Sequence, residues 1–188
     1  TEISDASLVP GGVLDWKGDI IEGLLEIFGV SSNYKSEYTG LFGAAQGAEI
    51  RDLVLGGAVV AGGRYTGVVA GAAEDTVFSG ISISASVDGS DYTGGLVGRI
   101  DGGRVEDVSL CSSRVVGSKV FKTTESTEDW NVLWWGDYVG GVAGYATGTA
   151  ISGVDIVGVG IYGASYIGGV AGETRDIAGI SDVNILSS

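Results

Sequence analysis

A box that opens Tyr-x-Gly and closes on Gly occurs five times in this chain, and that repetition restricts the fold more than any other feature. The first copy is Tyr38-Thr39-Gly40-Leu41-Phe42-Gly43 and the second is Tyr65-Thr66-Gly67-Val68-Val69-Ala70-Gly71. Tyr92-Thr93-Gly94-Gly95-Leu96-Val97-Gly98 and Tyr138-Val139-Gly140-Gly141-Val142-Ala143-Gly144 follow, and Tyr166-Ile167-Gly168-Gly169-Val170-Ala171-Gly172 is the last. The tyrosines are 27, 27, 46 and 28 residues apart, so the long interval is one unit plus about 19 further residues. A fixed period of this size is the mark of stacked units, each burying its apolar side against its neighbours.

A second box lies 12 to 14 residues after each tyrosine and reads apolar-x-x-apolar-x-apolar. Its copies are Ile50/Leu53/Leu55, Phe78/Ile81/Ile83, Val105/Val108/Leu110, Ile151/Val154/Ile156 and Ile180/Val183/Ile185. The second half of the box alternates with period 2, as a strand does. A third short apolar segment precedes the next tyrosine, as in Ala58-Val59-Val60 and Val159-Gly160-Ile161. Three short strands per unit, separated by Gly, Asp and Ser, describe one coil of a β-solenoid. At the spacing of about 4.8 Å between paired strands, five coils make a rod roughly 24 Å long. The expected core holds Phe42, Val69, Leu96, Val142 and Val170 with the apolar residues of the second box. The tyrosines either point inward or form an exposed aromatic ladder.

Composition removes several kinds of chemistry. Glycine makes up 35 of 188 residues while proline occurs once, which excludes a collagen-like or proline-rich chain. Histidine is absent, so zincin motifs, Ser-His-Asp triads and Cys-His pairs cannot be built. One cysteine, Cys111, allows neither an internal disulfide nor a cysteine zinc cluster. It either pairs between chains or is an inert, buried thiol. A net charge of -14 disfavours nucleic acid and anionic lipid as partners. No uncharged apolar stretch of about 18 residues is present, so no membrane-spanning helix is expected. Without any Met, even at position 1, the chain reads as a processed form or an excised fragment.

The Tyr-x-Gly-Gly-Val-Ala-Gly boxes resemble the GLUG repeat of bacterial surface proteins, found in adhesins and in the stalk regions of immunoglobulin A-specific peptidases. The resemblance covers residues 38–188. It implies a right-handed parallel β-helix, extracellular or at the cell surface, serving as stalk, spacer or adhesive region, and it carries over no catalytic residues.

Two parts of the sequence stand outside the repeat. Residues 1–37 form the expected N-terminal capping segment. Asp15 is placed to cap a helix from about Trp16 to Phe28, with Asp19, Glu22 and Glu26 on its polar side. Such a cap would cover the otherwise open sheet edge of the first coil. At the other end, Asn184-Ile185-Leu186-Ser187-Ser188 offers no cap, and Ile185 and Leu186 are candidate residues for end-to-end contact. The insertion at about 118–136 carries Phe121, Trp130, Trp134 and Trp135, three of the four tryptophans. It either packs on the solenoid wall, forms a protein interface or binds a glycan, since tryptophan is enriched at interaction hot spots.

Candidate catalytic carboxylates are Asp88/Asp91, Asp101, Glu106/Asp107 and Glu128/Asp129, which do not recur as a set along the repeat. A polysaccharide-cleaving site needs two carboxyls at a defined separation. Calcium is the one cofactor with candidate ligands, at Asp88, Asp91 and Asp101 beside glycines, although Asp and Gly equally make turns. Thr39, Thr66 and Thr93 share one repeat position. Facing outward they would form an ice-binding-like ladder, and otherwise they express a strand preference. The function expected from these readings is non-enzymatic: a structural or adhesive extracellular module that associates with itself or with other surface proteins. A glycan- or protein-binding module using the Trp-rich loop is the alternative, and a polysaccharide-cleaving enzyme the lesser one.

Overall fold

The computed structural model describes residues 37–122 and 131–186. They form a parallel β-solenoid of five coils, with no helix among the described residues. Each coil contributes to three sheets. The first sheet stacks Tyr38–Thr39, Tyr65–Thr66, Thr93–Gly94, Asp137–Gly140 and Ser165–Gly168. The second stacks Phe42–Gln46, Ala70–Glu74, Val97–Asp101, Ala143–Thr147 and Ala171–Arg175. The third and longest begins with Glu49–Ala61 and Val77–Gly89, continues through Arg104–Cys111 with Arg114–Lys122, and then takes Ala150–Val157 with Gly160–Tyr162 and Gly179–Leu186. The expected helical cap lies outside the described residues.

Register is set residue by residue. Ile81 pairs with Leu53 and Val108, and Val154 pairs with Val108 and Val183, so every second box stacks on the next. Phe78, Ile83, Val105, Leu110, Ile151 and Ile156 are almost wholly buried in this column. The unusual apolar-x-x-apolar spacing has a backbone cause. The residue before the second apolar position is left-handed in every coil, with φ of 53° at Asp52, 61° at Gly80, 53° at Asp107, 61° at Gly153 and 51° at Asp182. That kink turns two residues three apart to the same side, which a flat strand cannot do.

The glycines of the first box have a different role. A Cβ on Gly98 would sit 2.5 Å from the Gly71 carbonyl oxygen and 2.6 Å from the Thr66 nitrogen. A Cβ on Gly94 would reach within 2.6 Å of the Val142 carbonyl oxygen. The first and second sheets therefore meet backbone to backbone, with only glycine hydrogens between them.

The expected core needs correction at its two ends. Phe42 is 37% exposed instead of core: the first box is one residue short, so Phe42 takes the register of Ala70, and it is exposed although Ala70, Val97 and Ala143 in the same column are buried. The cause is its place in the stack: its strand is the outermost of the second sheet, with a neighbour on one side only among the described residues. Val69, Leu96 and Val142 are buried as expected. Val170, on the last described coil, is only half-buried against the core. The threonine ladder points inward: Thr39, Thr66 and Thr93 are buried. The hydroxyl of Thr66 donates to the Gly63 carbonyl at 3.1 Å and that of Thr93 to the Asp91 carbonyl at 2.6 Å. No threonine surface of the ice-binding type is presented at this position.

Candidate functional site: an aromatic ladder and its groove

The repeat tyrosines stand in one row along the outside of the corner between the first two sheets. Rings 38 and 65, 65 and 92, 92 and 138, and 138 and 166 are stacked at 4.9, 5.0, 4.8 and 4.7 Å, with interplanar angles of 4–16°. The stacking distance is the strand spacing itself, so the backbone register imposes the ladder. Tyr65 is buried, Tyr92 and Tyr138 are half-buried, and Tyr38 and Tyr166 at the two ends are exposed. In the interior of the ladder the ring faces are covered by other rings, so edges and hydroxyls are what it presents outward.

Cations and one further ring line this ladder. The Arg64 guanidinium lies 5.3 Å from the Tyr65 ring centre and 5.6 Å from that of Tyr92. The Tyr65 phenol beside it raises the Arg64 guanidinium above its ordinary range, against the opposing effect of burial. Tyr145, from the second sheet, meets Tyr92 and Tyr138 edge-on at 6.1 and 6.5 Å, a preferred aromatic geometry. Arg99 and Arg175 lie over the Tyr145 ring at 5.7 and 6.0 Å. Arg175 also donates to Glu173 at 2.7 Å, and this carboxylate raises the guanidinium above its ordinary range. Partial burial in the stack, reinforced by the neighbouring Tyr92 and by Glu173, pushes the Tyr138 phenol up.

Position 145 pairs with Arg99, which pairs with Ala72, which pairs with Ala44. The place that Tyr145 fills at coil 4 is therefore left open by alanine at coils 1 and 2. A groove of about 390 Å³ results, walled by Tyr38 and Tyr65, floored by Ala44 and Ala72, and closed toward coil 3 by Arg99. Its outer rim carries Gln46, Glu74 and Asp101. Gln46 Nε2 donates to Glu74 Oε2 at 3.1 Å, and Arg99 Nη2 donates to Asp101 Oδ2 at 3.4 Å.

The residues singled out in the sequence fall elsewhere. Asp88 accepts from the Ser118 hydroxyl at 2.5 Å, Asp91 accepts from the Asp137 amide at 3.5 Å, and Asp101 is held in its pair with Arg99. These three acids are not brought together, and no cluster of three metal-ligating side chains occurs among the described residues. Glu106 pairs with Arg104 at 3.2 Å, Asp107 supplies the left-handed kink, and Glu128 and Asp129 lie outside the described residues. Cys111 is half-buried, with its sulfur 3.3 Å from the Ser109 hydroxyl.

Ile185 continues the inward column of Ile156 but is 54% exposed, and Leu186 beside it is 53% exposed. In the insertion, Arg114–Lys122 and Asn131–Trp135 form an antiparallel hairpin that leaves the wall after Gly117, pairing Lys119 with Trp134, Ser118 with Trp135 and Phe121 with Val132. Trp130 lies outside the described residues. Sequence reasoning passes over Tyr145, Arg99 and Ala72, although one signal marks them: each stands seven residues after a repeat tyrosine.

No protein-family model, curated protein or solved structure matches this chain.

Proposed function

We propose that this chain is a non-enzymatic structural and adhesive module, extracellular or at a cell surface, whose coils continue end to end into a longer rod. The resemblance of its boxes to GLUG repeats supports the location and role. Right-handed winding is the sense expected of parallel strands joined in this way. One observation carries the reading. Ile180 and Ile185 are 47% and 54% exposed on coil 5, although their partners Ile151 and Ile156 on coil 4 are buried. These inward-column side chains and the edge of each sheet make a surface that another β-coil would complete. A contact of this kind does not close on itself, so identical copies joined through it form filaments.

Negative-stain electron microscopy at low and high protein concentration tests the proposal. The expected result is rods that lengthen with concentration and that Ile185→Asp keeps short. Uniform single particles at every concentration would overturn end-to-end assembly. A second reading, that the Trp-bearing hairpin is a recognition element, is favoured by the way its strands depart from the wall after Gly117. Glycan-array binding that disappears with Trp134→Ala/Trp135→Ala would replace assembly with recognition as the primary role.

A further inference from the structure

We propose that the groove at coils 1 and 2 is a binding site for an aromatic ring next to a cation, of the kind a Trp-Lys or Tyr-Arg pair of a partner polypeptide presents. The fold supplies its own picture of the occupant. At coil 4 the equivalent position holds the Tyr145 ring, edge-on to Tyr92 and Tyr138 and covered by guanidinium groups. At coils 1 and 2 the stacked tyrosine wall recurs without the ring, and Arg99 is the one guanidinium among the described residues of the lining. Tyr38 and Tyr65 form the same stacked wall at 4.9 Å, and Ala44 and Ala72 leave the volume empty. Arg99, already over Tyr145, also lines the groove and closes its end toward coil 3. A groove of about 390 Å³ lies within the range that holds small ligands.

The rim fixes the charge of the occupant. Asp101 is paired with Arg99, whereas Glu74 is met by the neutral amide of Gln46, so one carboxylate at the mouth has no cationic partner among the described residues. A chain of net charge -14 adds a field of the same sign. A ring flanked by Lys or Arg satisfies both the cavity and the rim, and a ring flanked by Glu or Asp satisfies only the cavity. The inference is independent of end-to-end assembly, since the groove runs along the side of the rod.

Saturation-transfer NMR, which reads weak ligands on large or assembled receptors, tests it with acetyl-Trp-Lys-amide, acetyl-Trp-Glu-amide and tyramine. Ring protons of the Trp-Lys peptide should receive saturation, and the Trp-Glu peptide should bind roughly fivefold more weakly, as reversal of one exposed charge contact implies. Ala72→Tyr, which puts the chain's own ring in the groove as Tyr145 does at coil 4, should abolish the transfer. Glu74→Lys keeps the cavity and should reverse the peptide preference, which guards against a folding defect in the first variant. Absent transfer, equal binding of the two peptides, or unchanged binding by Ala72→Tyr would each overturn the site. Tyramine binding more tightly than the peptide would overturn the assignment to a polypeptide.

Discussion

Gly153 lies beside Asp107 in the coil stack, both residues are left-handed, and a Cβ on Gly153 would fall 2.6 Å from the Asp107 carboxylate. The whole kink column reads Asp52, Gly80, Asp107, Gly153, Asp182, so each Asp has a Gly for its neighbour. Asp tolerates the left-handed region better than other residues with a side chain, and Gly occupies it freely. The alternation also leaves space for the Asp52 carboxylate over Gly80 and for the Asp107 carboxylate over Gly153. Asp107→Gly should therefore change stability little, since relief of the left-handed penalty offsets the added chain entropy. Asp107→Val should destabilise by about 1–2 kcal/mol, because a branched side chain bears the full left-handed penalty. Urea unfolding of the two variants checks this, and equal stability of Asp107→Val and the parent chain would refute the role given to the kink.

The backbone seam makes a sharper prediction. Gly98→Ala places its methyl group against main-chain atoms of Gly71, Thr66 and Tyr92, all within 2.7 Å, and no flexible side chain can yield there. Overpacking of this sort costs about 1–3 kcal/mol and sometimes more. Gly56 is a fair control, because a methyl group added there would meet nothing within 4 Å. Gly56→Ala should be neutral or stabilising by up to about 1 kcal/mol, through the unfolded chain. The comparison is a pair of denaturation curves. Similar losses in both variants would mean that glycine matters here for chain entropy and not for close approach.

The ladder predicts behaviour in alkali. Tyr138 has its phenol raised in the folded chain, chiefly by partial burial. A raised value means that the fold favours the neutral phenol. Its contribution is complete below the ordinary tyrosine value of about 10 and is lost as pH rises through the higher folded value. The Tyr138 share of the tyrosinate absorbance, read as the difference between the parent chain and Tyr138→Phe, should develop late relative to free tyrosine, and the melting temperature should fall over the same range. Tyr138→Phe removes that titration and should lessen the fall. Identical alkaline profiles for Tyr138→Phe and the parent chain would show that this residue does not carry the effect.

The solenoid is legible in the sequence because its cause is periodic. Tyr, Gly and the apolar pairs return at the unit length, and stacking turns sequence period into sheet register. The break in the second box is visible at Asp52, Asp107 and Asp182, but its cause is not, because a left-handed kink leaves no mark beyond Asp or Gly at one position. Thr66 and Thr93 carry no sign of inward or outward facing, since threonine suits either side of a strand once its hydroxyl finds a carbonyl. Phe42 shares a column with the buried Ala70, and what exposes it is the outermost place of its strand among the described residues, which the box itself does not record. The groove is the hardest feature to foresee. It is made by what Ala44 and Ala72 lack, and only alignment with Arg99 and Tyr145 gives that lack a meaning.

Tyr145 is where the ladder's outer layer can be weighed. Its ring meets Tyr92 and Tyr138 edge-on and lies under Arg99 and Arg175. Edge-on aromatic pairs contribute about 0.5–1.5 kcal/mol beyond area burial, and exposed cation contacts about 0.5–1 kcal/mol. These are not additive, because the same ring makes all of them. Tyr145→Ala should therefore destabilise by about 1–2 kcal/mol, while Tyr145→Phe, which keeps the ring, should lose little. Combining Tyr145→Ala with Arg99→Ala in a double-mutant cycle isolates the cation contact. A coupling of about 0.5 kcal/mol is expected, as for an exposed guanidinium over a ring. Zero coupling would mean that Arg99 is held by Asp101 alone and merely lies near Tyr145.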